Sequence, residues 1–427
     1  MNTERIGDCY YLSDAKIGAC GLFSQIEYLV FTFFDDPINK ENQIIEFLIN
    51  LGYSKTQANI KYHQLIIKLK KQGWLNSLSD NFSPEPITTL YFTITTNCNL
   101  NCPYCYQGSL KEKCYISVEN AKRTIEGLKA VNYKSHIVLT GGETFMHPKV
   151  FDIIDIIELN GFSFSILTNG TLVNSSIAKK LSKYKLLQSI QISIDGIDSN
   201  THKITRGNSF EATMRGIEII SNYHLPFSLG PTIHEGNANQ INDIAKLALE
   251  KGGWLTPNNL IVTSHNTNSS LSLTNLTLER VMKQVGEYIS VHEEKYAINK
   301  VFRKKAFDVS CHKQKDNLCG IAFQTLDLNW NGDVYPCNLL RNDKYILGNL
   351  FSSGWEFILQ NGIKFRNKIK CSNINKCSSC DILNICNGGC RASAFYKYGT
   401  FDKEDPLCDL RYSNIKLQIL KESETYK

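Results

Sequence analysis

The chain has 427 residues, 42% hydrophobic and 21% charged, with a formal charge of +6, enough length for more than one domain with its own core. The positive charge is mild and comes without a Lys/Arg block, which points to solvated surface and away from nucleic-acid binding. No apolar run is long enough to span a bilayer, and the opening MNTERIGDCYY lacks the charged start and apolar core of a signal peptide. The expectation is a cytoplasmic chain without membrane contact, whose fifteen cysteines do not form disulfides and whose clustering points to metal ligation.

Residues 1–82 read as a first unit. Tyr10, Tyr11 and Leu12 suggest a strand, and residues 27–34 form a second apolar stretch. Two helical patterns follow, over 40–51 and 54–71. In the second, Ala58, Tyr62, Leu65, Ile66 and Leu69 recur at helical spacing behind a Ser54 cap, and Gly73 with Trp74 stops it. A small winged-helix unit fits this pattern. It resembles the PqqD-like precursor-recognition element of enzymes that modify ribosomally made peptides. That resemblance implies a leader peptide added as a strand to an exposed sheet edge; a helical cap with no binding role is the alternative. Residues 81–86, with two prolines, read as a linker.

From residue 87 to about 295 strands and helices alternate. Strands are predicted over 90–96, 136–140, 163–168, 189–194, 227–233 and 259–263, with amphipathic helices such as 118–131, 149–159 and 210–223 between them. The strands are short, β-branched and apolar on both faces, as buried parallel strands must be. The fold class is therefore α/β, an open, partial (β/α)6 TIM-like barrel whose units are joined by right-handed crossovers. Chemistry in such barrels collects at the C-terminal strand ends. There lie Cys98, Cys102 and Cys105 after the first strand, Gly141, Gly142 and Glu143 after the second, and Thr168, Asn169 and Gly170 after the third. Ser193 and Asp195 end the fourth, and residues 231–237 the fifth.

The cysteines of CNLNCPYC, spaced C-x3-C-x2-C, suit three irons of a four-iron cluster, with the fourth iron left open. A tetrahedral zinc site would close itself with a fourth nearby ligand, and none follows. The stretch resembles the radical S-adenosylmethionine (radical SAM) family, in which the open iron chelates the cofactor's amino and carboxylate groups. The resemblance implies that Glu143 faces the cofactor's amino group and that Gly141 and Gly142 let backbone approach it. Tyr104 matches the aromatic near adenine, and Ser193 the ribose or carboxylate contact beside Asp195. Arg206 would neutralise the methionyl carboxylate. Two features depart from the family pattern: Thr144 stands where proline usually follows Gly-Gly-Glu, and the Ser-to-Arg interval is one residue longer.

The last third, 305–415, carries a second signature. Cys319 and Cys337 are spaced C-x12-G-x4-C, followed by Cys377, Cys380, Cys386 and Cys390 as C-x2-C-x5-C-x3-C, and then Cys408. A zinc ribbon would need two C-x2-C pairs. The seven match the auxiliary-cluster extension called the SPASM domain. In that resemblance Cys377, Cys380, Cys386 and Cys408 hold an outer cluster. Cys319, Cys337 and Cys390 hold an inner one, with Cys311 as its fourth ligand or an open iron in its place. Asn331-Gly332 reads as a hairpin turn bringing Cys319 and Cys337 together. Cys9, Cys20, Cys114 and Cys371 read as buried inert thiols, and His147 and His234 as structural residues near the rim.

The implied activity is radical chemistry on a ribosomal precursor peptide. One [4Fe-4S] cluster, reduced by flavodoxin or ferredoxin, cleaves S-adenosyl-L-methionine to a 5′-deoxyadenosyl radical, and two auxiliary clusters accept an electron or hold the Cys sulfur while the bond forms. Within the family GGETFMHP and LTNGT look most like the sactisynthases, which join a Cys sulfur to an α-carbon. The alternatives are another thioether or a carbon–carbon crosslink; formylglycine formation, against which Asn338 speaks because those maturases place an aspartate there; and a non-catalytic iron–sulfur peptide-binding or electron-transfer protein. No general base is assigned.

Overall fold

The computed structural model describes residues 1–14, 19–34, 37–75, 86–107, 113–260, 271, 274–291 and 319–424. Cys311 and residues 261–263 of the expected sixth strand lie outside them.

The first unit opens with three strands, β1 (Asn2–Ile6), β2 (Cys9–Asp14) and β3 (Ala19–Ser24), antiparallel in the order β1-β2-β3. The apolar stretch after them is a helix, α1 (Gln25–Phe33), because Ser24 and Glu27 form a reciprocal capping box at its start. Helices α2 (Glu41–Asn50) and α3 (Lys55–Lys71) follow, the latter capped by Ser54 as expected. Alternation along the strands gives the sheet two apolar faces. Leu12 and Phe23 pack under the helices with Val30, Ile44, Leu48 and Leu65. Tyr11 and Leu22 face the other way, against Ile382 and Ile419 of the C-terminal lobe.

The barrel strands are β4 (Thr89–Thr95), β5 (His136–Gly141), β6 (Ser163–Thr168), β7 (Leu187–Ile192) and β8 (Phe227–Leu229). Between them run α4 (Val118–Val131), α5 (Val150–Leu159), α6 (Ser175–Leu181), α7 (Ser199–Arg206) and α8 (Phe210–Asn222). The fifth strand does not run through 233 as predicted. Pro231 has no N–H to donate, and the chain resumes as a separate short strand, β9 (Thr232–Ile233). After α9 (Ile241–Glu250), the sixth barrel strand is β10 (Trp254–Leu255), earlier than predicted; β11 (Asn258–Asn259) instead pairs with β9. The parallel order is β10-β8-β7-β6-β5-β4, so the partial TIM-like barrel expected from the alternation is present.

The sheet does not end at β4. Past α10 (Asn275–Val291), β12 (Thr325–Leu328) adds in parallel to β4, Thr325 opposite Thr89 through Leu328 opposite Phe92. It turns back through β13 (Asp333–Tyr335) to β14 (Gly348–Asn349). Helix α11 (Leu350–Lys368) is kinked at Gly354, φ 75°. The lobe is completed by α12 (Asn375–Ser378), α13 (Leu383–Cys386), α14 (Arg391–Tyr398) and α15 (Cys408–Glu424). Barrel and lobe share one apolar core, running from Leu90 and Phe92 through Leu326 and Ile358 to Cys371 and Cys377. Cys9, Cys114 and Cys371 carry free thiols, whereas Cys20 is disulfide-bonded, departing from the reduced thiol expected of it. Among the described residues no helix is long and apolar enough to cross a membrane.

Candidate active site at the barrel rim and in the cysteine-rich lobe

The loop of Cys98, Cys102 and Cys105 leaves β4 and is tied to the neighbouring strand ends. Gly142 donates its N–H to the Thr95 carbonyl (2.8 Å), and Glu143 to that of Asn97 (2.7 Å). A Cβ on Gly142 would lie 2.3 Å from the Asn97 oxygen, and one on Gly141 2.3 Å from that of Thr95; only glycine lets β5 come this close. Asn99 donates to Thr171 (2.8 Å) and accepts from Asn169 (2.9 Å), fastening the loop to the end of β6.

Two buried carboxylates organise the rim. Glu143, fully buried, accepts from the Thr168 hydroxyl (2.6 Å) and the N–H groups of Asn169 (2.7 Å) and Phe145 (3.2 Å). Burial nevertheless pushes its pKa above the ordinary carboxylate value. Asp195, also fully buried, accepts from Tyr104 Oη, from Thr205 (2.8 Å), from Arg206 Nε (2.8 Å) and from the Thr232 N–H (2.9 Å). Burial alone would raise its pKa, but Arg206 and these hydrogen bonds together hold it below the usual range. Asp195 thus gathers the cysteine loop, α7 and β9 around one point. The Arg206 guanidinium lies 5.6 Å from the Tyr104 ring centre, and its Nη groups make no protein hydrogen bond among the described residues. Ser193 is half-buried, its N–H on the Thr168 carbonyl (2.9 Å).

The histidines divide. His147 is spoken for by the Ile116 carbonyl (2.9 Å) and the Lys149 N–H (3.0 Å). His234 accepts from the Gly236 N–H (3.1 Å), while its Nε2 is buried without a partner. Sequence reading missed His202, buried behind Asp195, where it meets the Asp195 N–H (3.4 Å) and the Ser209 hydroxyl (2.9 Å). It also missed Arg341, which forks onto Asp327 (2.5 and 2.8 Å), reaches Thr93 and lies between the rings of Tyr106 and Tyr335 (5.6 and 5.7 Å). Neither has a sequence signature, because each is defined by partners distant in the chain.

In the lobe, Cys377, Cys380, Cys386 and Cys408 line one cavity of about 320 Å³, with Ile382 and Leu383 on its apolar side. Cys319, Cys337 and Cys390 form a second group: Cys390 and Cys319 both lie near enough to act on Cys337, whose thiol burial drives well up. Burial likewise holds Cys102 and Cys377 at about 11. Backbone N–H groups already point at two sulfurs, Leu100 at Cys98 and Ser393 at Cys390, both at 3.4 Å.

Residues 92–248 match the model of the radical SAM superfamily, and residues 319–381 that of the SPASM iron–sulfur cluster-binding domain. The chain carries a radical SAM domain followed by a SPASM domain. Among curated relatives it is similar to the AdoMet-dependent heme synthase of Methanosarcina barkeri, 26% identical over 74% of this chain and 95% of that one. It is similar also to the mycofactocin maturase MftC of Mycolicibacterium smegmatis (24%; 75% and 82%) and to the subtilosin biosynthesis protein AlbA of Bacillus subtilis (25%; 70% and 66%). Among solved structures its fold resembles anSMEcpe with bound AdoMet (TM-score 0.64, 21% identical, 79% of this chain and all of that one). It also resembles SuiB of Streptococcus suis bound to S-adenosylmethionine (TM-score 0.63, 17%, 95% of this chain and all of that one).

The residues of the radical SAM and SPASM domains fit their cofactors, [4Fe-4S] clusters and S-adenosyl-L-methionine. Among the described residues no three of His, Cys, Asp and Glu converge as one ion's ligands do, whereas a cluster takes each thiolate on a different iron. Beside the first cysteine loop, Asn97 Oδ1 and Gln107 Oε1 are buried acceptors without a protein donor, of the kind an ammonium group satisfies. The four-cysteine cavity offers one cluster its full set of ligands.

Proposed function

We propose that this radical SAM enzyme forms thioether crosslinks between Cys sulfur and carbon in a ribosomally made precursor peptide. Cys98, Cys102 and Cys105 would hold the cluster that binds S-adenosyl-L-methionine, with Tyr104, Gly141, Gly142, Glu143, Ser193, Asp195 and Arg206 around the cofactor. The outer auxiliary cluster would rest on Cys377, Cys380, Cys386 and Cys408, and the inner one on Cys319, Cys337 and Cys390, with Cys311 as its possible completion. Bound there, these groups supply one-electron chemistry that removes hydrogen from an unactivated carbon, with flavodoxin or ferredoxin as the source of electrons.

The chain's own residues do the positioning. Arg206, fixed through Nε by Asp195, has its Nη groups left for a carboxylate. Glu143, fully engaged by Thr168 and Asn169, holds the glycine turn against the cysteine loop more than it reaches outward. Tyr104 braces that loop through Asp195.

One observation carries the peptide reading: a sheet of three strands, both edges unpaired among the described residues, rests directly on the outer-cluster loop. Tyr11 Oη meets the Asp381 carbonyl (3.3 Å), and Asn384 donates to the carbonyls of Asp14 and Ala19 (3.0 and 3.1 Å). On the same unit Ile60 and Ile67, two turns apart on α3, are 53% and 66% exposed. A leader added to that sheet, with apolar side chains over α3, would deliver its core peptide beside the clusters. The relatives AlbA and MftC support this reading; the likeness to SuiB extends over the N-terminal unit but speaks for fold.

The test is anaerobic co-expression with the short Cys-rich reading frames beside the gene. A mass loss of two hydrogens per Cys supports the thioether; an unchanged peptide overturns peptide crosslinking. Release of 5′-deoxyadenosine with dithionite separates enzyme from electron carrier. The heme synthase relatives favour a second reading, a porphyrin substrate, which porphyrin turnover with the peptide left unchanged would select.

A further inference from the structure

Among the described residues four cations lie at the wall of the four-cysteine cavity or bond to residues of it, and three are conventionally neutralised, Lys416 by Asp381 at 3.0 Å. Lys376 pairs with Asp409 and Arg411 with Asp405, each at 2.8 Å. The fourth, Arg391, follows Cys390, is wholly buried at 0% exposure and reaches the cavity wall through its bond to Gly388. Its Nη1 donates to the carbonyls of Phe401 (3.0 Å) and Lys403 (2.6 Å) and its Nη2 to that of Gly388, while Nε has no acceptor. Among the described residues no carboxylate lies within ion-pair distance of it. Three neutral carbonyls orient a guanidinium but do not cancel its charge, and a buried charge left uncompensated is strongly destabilising.

The groups that feel this charge are cysteines. Arg391 is the leading cation acting on Cys377 and Cys371, and it acts also on Cys319. As neutral thiols they give it no counter-charge; as thiolates on an iron–sulfur cluster, which is anionic overall, they do.

We propose that Arg391 is the built-in counter-charge of the outer auxiliary cluster, its free Nε–H available to a cluster sulfur, and that it makes that cluster easier to reduce. Reduction adds one electron and one negative charge to the cluster, so a fixed cation beside it stabilises the reduced form. This role concerns cluster potential alone and stands or falls apart from the chemistry proposed for the peptide.

The experiment is an anaerobic redox titration followed by electron paramagnetic resonance. It uses full-length, reconstituted protein in which Cys98, Cys102 and Cys105 are replaced by Ala, so that only auxiliary clusters report. The outer signal is identified by its loss in Cys408→Ala. Arg391→Gln, with iron and sulfide at parental levels, is expected to lower the reduced-to-oxidised ratio of the outer cluster at the parental midpoint at least tenfold. That corresponds to about 59 mV for one electron. Arg391→Lys is expected to stay within about threefold of the parent. An unmoved Arg391→Gln, a shift confined to the inner cluster, or Arg391→Lys moving as far as Arg391→Gln would overturn the proposal. If Arg391→Gln does not load the outer cluster, Arg391→Lys decides: parental loading and potential sustain the proposal, and loss of either refutes it.

Discussion

Replacing Asp195 by Ala should loosen the barrel rim far more than the loss of one hydrogen-bond acceptor. The carboxylate is fully buried and takes donors from Tyr104, Thr205, Arg206 and Thr232. The dominant cost is the guanidinium left behind, since Arg206 is only 9% exposed. Removing one member of a buried ion pair costs about 3–5 kcal/mol because the other charge is stranded. At about 1.4 kcal/mol per factor of ten, opening of the surrounding strands should become roughly a hundred to several thousand times more populated. A chain of several lobes has no single unfolding free energy, so the assay is native-state hydrogen exchange of the β7 and β4 amides in metal-free protein. Asp195→Ala combined with Arg206→Met removes both charges and should recover at least about 2 kcal/mol of the loss. A change below tenfold in Asp195→Ala, or a double variant no better protected than the single one, would refute stranded charge as the cause.

His202 is held neutral, burial lowering its pKa from 6.5 to about 4. The unfolded chain therefore binds the proton first. About 3 kcal/mol of stability present above pH 6.5 should be lost as pH falls through 4, and exchange measured against pH should show this slope flattened in His202→Gln. Gly142→Ala places a Cβ 2.3 Å from the Asn97 carbonyl, beside Cys98; iron and sulfide should fall by about one cluster's worth while the auxiliary clusters remain. Cys380 and Cys386 share an apolar cluster with Ile6, Cys9 and Tyr11. Cys380→Ala should therefore speed exchange across β2 by about tenfold or more, and unchanged protection there would show that the N-terminal sheet docks independently of the outer cluster.

The parallel strands and the rim were legible because their signals are local. Apolar β-branched runs ended in CNLNCPYC, TGGET, LTNGT and SIDG, and the structure brings those ends together. One omission and one misreading were avoidable. Ser24 and Glu27 spell a capping box ahead of α1, and Pro231 forbids an unbroken fifth strand. Other features were out of reach. The β12–β4 pairing joins Thr325 to Thr89 with no turn to announce it, and Arg391 reads as an ordinary surface residue until its burial is seen. The contacts expected of Glu143 and Arg206 were read from motif positions; that one is saturated by Thr168 and Asn169 and the other leans on Asp195 is a fact of packing.

The pairing of β12 with β4 changes what the Asp327–Arg341 pair is for. A buried ion pair is weak evidence for stability, since apolar residues of similar size often serve as well. Its value here is geometric. Asp327 sits on β12 opposite Tyr91, and Arg341, four residues past Cys337, reaches across to Thr93 on β4 and lies against the ring of Tyr106, next to Cys105. A one-residue slip of β12 would turn Asp327 to the other face of the sheet, stranding Arg341 and parting it from Thr93. The pair therefore fixes register, and through register the placing of the Cys337 loop relative to the Cys105 loop. Two cysteine loops held at a set separation need such a constraint more than they need extra stability.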